Sequence, residues 1–283
     1  MNRTTRNFVR FGFMAALLLI SLIATAGYVA SASAHGRSDD EAHATLRHTP
    51  HGTALLFWNS NTHALTVTIA VSGLQSNTTH PAHIHMGVCA TNGPIIIPLS
   101  DVKADAGGDA ISTTTIPNVM GGIPATGWFI NVHTGPTLAD GGATPITCGD
   151  IINHNTSTNH LQFVITRLGD TTGPNQNASG SARITLNDGT LTVKVNVTGL
   201  VPGSMHAEHI HLGSCERQVP GNVMFALNPL VADANGNATA TTVFKNVNMN
   251  SIPDHGWYVN VHFSTDLTTQ VGFDPITCGD VVD

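Results

Sequence analysis

From Thr53 onward the chain alternates apolar and polar residues with a period of two. Leu65, Val67, Ile69 and Val71 take turns with Thr66, Thr68, Ala70 and Ser72, the pattern of a strand that buries one face. It returns far downstream, where Leu191, Val193, Val195 and Val197 alternate with Thr192, Lys194, Asn196 and Thr198 behind a hairpin signal at Asp188-Gly189. Both runs end in Gly-Leu, at Gly73-Leu74 and Gly199-Leu200. The correspondence continues: His83 maps to His209 at an offset of 126, Gly127 to His133 onto Gly256 to His262 at 129, and Pro145 to Asp150 onto Pro275 to Asp280 at 130. Small loop insertions in an internal duplication produce such a drift. Short β-branched runs broken by Gly, Pro, Asn and Asp, with no long helical period, predict two antiparallel β-sandwiches. Their expected spans are residues 42–153 and 161–283, joined by the polar linker 154–160.

The 283 residues are 41% hydrophobic and only 10% charged, which suits a globular protein of two modest domains. The first 34 residues fall outside that count. Arg3, Arg6 and Arg10 precede an apolar run from Phe11 to Ala30, and Ala32-Ser33-Ala34 has the form of a cleavage site, so residues 1–34 read as a secretory signal peptide. An uncleaved anchor is the alternative, because the run approaches the roughly 20 residues that span a bilayer; no other segment is apolar enough to enter a membrane. Residues 35–41 are expected to be a flexible mature terminus. With His43, His48 and His51 downstream, His35 could instead belong to a loose metal-scavenging tail. Cleavage would remove three of the 11 Lys and Arg and none of the 18 Asp and Glu, leaving a formal charge of −10. That excludes a nucleic-acid partner on charge grounds. In an oxidising compartment the four cysteines should pair, and the repeat selects Cys89 with Cys148 and Cys215 with Cys278. Each pair closes a loop of some sixty residues, worth about 4 kcal/mol on the chain-entropy account.

All 16 histidines survive cleavage, and their densest groups recur. His80, His83 and His85 precede Cys89 as His206, His209 and His211 precede Cys215. On a strand, His83 and His85 project together while Ile84 points the other way. The same alternation sends Trp128, Ile130 and Val132 to one side of their strand, and Phe129, Asn131 and His133 to the other. If Ile84 and Val132 share the core, His83, His85 and His133 meet on the outer face of a sheet. His209, His211 and His262 do so in the second copy, with His80 and His206 as candidate fourth ligands. Imidazoles suit copper and zinc, the affinity order favours Cu(II), and three of them leave a position open. Polar decoration of a solvated face is the plain alternative. Asn131 and Asn260 share the ligand face as candidate supporting groups. Unmatched His255 reads as a surface residue. Histidine ligation would release metal as the imidazoles protonate between about pH 6.5 and 5.

The stretches Ala82-His83-Ile84-His85, Gly87, Asn92-Gly93-Pro94 and Trp128 to Thr134, with their second copies, resemble the CHRD domain, a secreted β-module named after chordin. A His-x-His strand, a cysteine shortly after it, a Val-His strand and a late Cys-Gly are also similar to Cu,Zn superoxide dismutase. That resemblance implies Greek-key sandwiches in which His83, His85 and His133 match three copper ligands and Cys89–Cys148 the disulfide. It also exposes departures. Ile95 and Gly221 stand where that family has a bridging histidine, and Pro145 and Pro275 where it has a guiding arginine. The expectation is therefore a secreted or surface-associated copper-binding protein, with zinc possible. A copper-only dismutase-like enzyme is the second reading. A metal-free adhesion module contacting an extracellular protein is the third.

Overall fold

The computed structural model describes residues 40–283, apart from 170, 172, 174 and 220. The expected signal peptide and His35 lie outside the described residues. Repeat 1 contributes β1 (Asp40–Leu46), β2 (His51–Asn59), β3 (Ala64–Ser72), β4 (Thr79–His80), β5 (Ala82–Met86), β6 (Ile95–Pro98), β7 (Val102–Lys103), β8 (Ala110–Ile116), β9 (Trp128–His133) and β10 (Pro145–Ile151). Repeat 2 follows with β11 (Gln162–Leu168), β12 (Ser179–Asn187), β13 (Thr190–Thr198), β14 (Met205–His206), β15 (Glu208–Leu212), β16 (Val223–Ala226), β17 (Leu230–Val231), β18 (Ala238–Phe244), β19 (Trp257–His262), the short α1 (Gln270–Phe273) and β20 (Pro275–Val282). Every strand of repeat 1 has its counterpart ten strands later. The period-two segments at Leu65 and Leu191 are β3 and β13, and Asp188-Gly189 turns the chain between β12 and β13, both residues at positive φ.

All paired strands run antiparallel. In the first sandwich the sheets are ordered β11-β2-β3-β8 and β10-β9-β5-β6. The chain leaves one sheet after β3, forms β5 and β6 in the other, and returns to place β8 beside β3, a Greek-key path. The second sandwich repeats both orders, but its sheets join through β20 and β1 into one eight-stranded sheet folded over its own apolar face.

The first strand of each repeat completes the other sandwich. β1 pairs with β12 and β20, and Ala42, Ala44 and Leu46 sit in the core of repeat 2. β11 pairs with β2, and Val164 and Leu168 sit in the core of repeat 1. Spans of 42–153 and 161–283 would instead keep each first strand with the residues that follow it. The physical reason for the crossing lies in the connection. Arg47 and Cys278 exchange two backbone hydrogen bonds of 2.8 Å, and Pro50 biases the residue before it towards extended backbone, against a tight β1–β2 hairpin. The late Cys-Gly pairs admit the crossing strands: a β-carbon on Gly149 would lie 2.2 Å from the Arg167 carbonyl oxygen, and one on Gly279 2.5 Å from that of Thr45. Both disulfides form as the repeat selects, Cys89–Cys148 and Cys215–Cys278, with Cα atoms 6.0 and 5.8 Å apart.

His48 stands between the sandwiches, its ring facing the carbonyl oxygens of Ile146 and Ile276, equivalent residues of the two repeats. His43 is exposed on the outward face of β1 beside Glu41. Neither belongs to a loose tail.

Strand exchange predicts how the chain can be divided. A fragment of residues 50–169, which carries β2 to β11, should melt cooperatively as a monomer. A fragment of residues 42–153 lacks β11 and should melt lower or pair with a second copy. Equal melting temperatures for two monomeric fragments would contradict the exchange.

Candidate metal centres

Sheet register assembles the first cluster. β5 and β9 pair so that His83 lies opposite Asn131 and His85 opposite Phe129, while Ile84 and Ile130 meet in the core beneath. His133, two residues beyond Asn131 on the same face, closes the group. The ring centroids of His83, His85 and His133 lie 5.1 to 5.8 Å apart, and one nitrogen of each falls within 4.8 Å of the other two. His209, His211 and His262 repeat the arrangement within the same limit.

The outer face is covered by loops, which speaks against the alternative of polar residues decorating a solvated face. His85 and His133 are 4% and 3% exposed, and His211 and His262 2% and 0%. The loops that cover it also fix the rings. A carbonyl can only accept, so His85 donates from Nδ1 to Gly93 O at 2.8 Å, and His133 donates from Nδ1 to Ala143 O at 2.7 Å. Each neutral ring then keeps a lone pair on Nε2. Those two nitrogens and Nδ1 of His83 are buried without a hydrogen-bond partner. His85 also stacks on Phe129, with centroids 4.9 Å apart.

The second cluster differs in detail. His262 donates from Nδ1 to Phe273 O, so its Nε2 is an acceptor and takes a 3.0 Å hydrogen bond from Nδ1 of His209. His211 stacks on Tyr258 at 5.0 Å, and both of its nitrogens are buried without partners. Asn131 and Asn260 are each 1% exposed with Oδ1 unpaired, and Asn260 donates to Gln218 at 3.2 Å.

His80 and His206 do not join the clusters. The His80 ring donates from Nδ1 to the backbone oxygen of His133 at 2.9 Å and faces the Thr78 hydroxyl from Nε2 at 2.7 Å. His206 does the same with His262 O at 2.9 Å and Ser204 at 2.6 Å. With both nitrogens engaged, these rings brace the backbone of the third histidine instead of serving as fourth ligands. Their odd spacing from His83 and His209 carried the signal, since residues three apart on an extended chain face opposite ways. The carbonyls of Gly93, Ala143 and Phe273 had no signal, because any residue offers one. His255 is exposed, as expected.

Burial disfavours the charged form of His80, His83, His133, His206, His209, His211 and His262. It lowers the pKa of His80 and of His133 to about 4, the latter with added repulsion from His83 and His85. It takes His211 to about 4 and His262 to about 3, and pushes His83, His206 and His209 down as well. Two carboxyls move the other way. Glu208, 1% exposed where repeat 1 has core Ala82, is raised to about 8 by burial, and buried Asp274 is pushed well above the carboxylate range.

These shifts set the pH dependence of the metal-free protein. Unfolded imidazoles take up protons near 6.5 and the folded ones only near 4. Their stabilising contribution is therefore whole above about pH 6.5 and is lost as pH falls towards 4. Glu208 acts oppositely: its contribution is whole below its unfolded value of 4.5 and is lost as pH rises through about 8. Glu208→Gln should accordingly raise the melting temperature more at pH 8 than at pH 5. A larger gain at pH 5 would contradict a buried neutral carboxyl.

Two comparisons with known proteins bear on the chain. No curated protein sequence matches it. A family model for the CHRD domain matches twice, at residues 32–137 and 161–266, so that each match takes in one exchanged strand and one histidine cluster. The two matches together cover well over half of the sequence, and the chain belongs to the CHRD domain family.

Proposed function

We propose that the protein works outside the cytoplasm as a metal-binding protein, holding one copper ion in each histidine triad, with zinc as the second choice. The observation that carries this reading is the convergence of His83, His85 and His133, one ring nitrogen of each within 4.8 Å of the others, with His83 Nδ1, His85 Nε2 and His133 Nε2 buried and without a partner. A buried unpaired nitrogen costs about 1–3 kcal/mol, and three facing one another make a natural set of ligands. A bound copper ion supplies one-electron redox chemistry. The chain's own residues supply orientation: Gly93 O and Ala143 O fix two rings, His80 holds the backbone at the third, and the covering loops exclude water.

Binding is favoured over dismutase turnover by Ile95 and Gly221 at the bridging-histidine positions, by Pro145 and Pro275 at the arginine positions, and by a field that repels anions. Export is supported by the two disulfides and the family, in addition to the character of residues 1–34. Among the described residues no helix is long and apolar enough to cross a membrane.

Metal analysis of the copper-loaded mature protein tests the reading. Two coppers per chain are expected, falling by one in His83→Ala and by one in His209→Ala; none retained by the parent would leave the metal-free module. Burial also changes the expected release. With His133 near 4 and His262 near 3, protons compete poorly at pH 5, and copper should leave as pH approaches 4 instead of between 6.5 and 5. Release complete by pH 6 would contradict buried ligation.

A further inference from the structure

The loop between β19 and β20 contacts triad 2 directly and, in repeat 1, the backbone beside triad 1. Its single helical turn, α1, is capped by Thr269, whose hydroxyl accepts from Gly272 N at 3.1 Å. At the end of that turn, Phe273 O receives the Nδ1 proton of His262 in triad 2. At its start, the Gln270 side chain reaches into repeat 1. Its Nε2 donates to Thr79 O at 2.8 Å and to Thr134 O at 2.9 Å, while its Oε1 accepts from Thr79 N at 3.3 Å.

Those acceptors flank the pair that holds the third ligand of triad 1. Thr79 precedes His80, Thr134 follows His133, and His80 donates to His133 O. One carboxamide therefore ties together the two backbone segments whose spacing aims the His133 ring. Val271 packs beside it: a β-carbon on Gly135 would stand 3.1 Å from Val271 Cγ2. The tie runs one way, because the position equivalent to Gln270 in repeat 1 is Asp140, an exposed loop residue.

We infer that Gln270 of repeat 2 is a positioning residue for the metal site of repeat 1, so that the affinity of triad 1 depends on a side chain from the other repeat. This rests on the triads binding metal. A residue that aims a ligand without touching the metal typically changes affinity 10–100-fold when removed. The size of the effect here should lie near the lower bound, since Ala143 O and His80 remain.

The test uses the full mature chain with one triad disabled at a time. In the His209→Ala background, where triad 1 alone is left, Gln270→Ala should weaken Cu(II) binding about 10-fold and shift the copper EPR parameters. In the His83→Ala background the same change should leave the affinity of triad 2 unaltered, because His262 is held by a backbone carbonyl. Gln270→Glu keeps the size but removes the donors. It should weaken triad 1 at least as much, which identifies the hydrogen bonds and not the packing as the cause. Equal weakening of both triads, or an unchanged triad 1, would overturn the inference. Loss of copper from the His209→Ala parent itself would overturn the metal reading, and this inference with it.

Discussion

A neutral imidazole that donates one ring proton to a backbone carbonyl has a single lone pair left and a single direction in which to offer it. The histidine clusters depend on that constraint. Gly93 O and Ala143 O orient His85 and His133, and Phe273 O orients His262. At His133 and His262 burial reinforces the constraint by disfavouring the charged ring, which lowers the pKa to about 4 and about 3. Solvent-facing histidines would rotate, protonate near 6.5 and define no site. The triads are thus products of the loops over the sheet as much as of the strands that carry them, and each disulfide secures the first of those loops to the last strand of its repeat.

The same economy of contacts binds the repeats to each other. Neither sandwich is complete without the first strand of the other, and the glycine after each late cysteine leaves room for that strand to pass. His48 then faces equivalent carbonyls on the two sides, and Gln270 crosses to repeat 1. Duplication followed by such exchange converts two potentially separate modules into one object. It also lets two similar sites diverge, since triad 2 has Tyr258 where triad 1 has Phe129, and its His209 is hydrogen-bonded to His262 where His83 Nδ1 stays unpaired.

Period-two alternation was enough to read much of this from the chain. It put Ile84, Ile130 and Val132 in the core and His83, His85 and His133 on the opposite face, because side-chain direction on a strand follows from position alone. The repeat selected the disulfides. Strand exchange could not be read, since β1 and β11 carry matching inward patterns and either could close either sandwich. Nor could the covering of the triads, which depends on loop backbone whose carbonyls have no residue signature. The bracing role of His80 was accessible through its odd spacing from His83, a weaker guide than its nearness in sequence.

The central claim is that three ring nitrogens in each repeat converge on one metal ion. An anomalous difference map at the copper edge, from crystals of the copper-loaded mature protein, tests it most directly. Two peaks are predicted, one bounded by His83, His85 and His133 and the other by His209, His211 and His262, each about 2.0–2.1 Å from its nitrogens by analogy with zinc–imidazole bonds. Copper located only on exposed histidines such as His43 or His255, with both triads unchanged, would contradict the account.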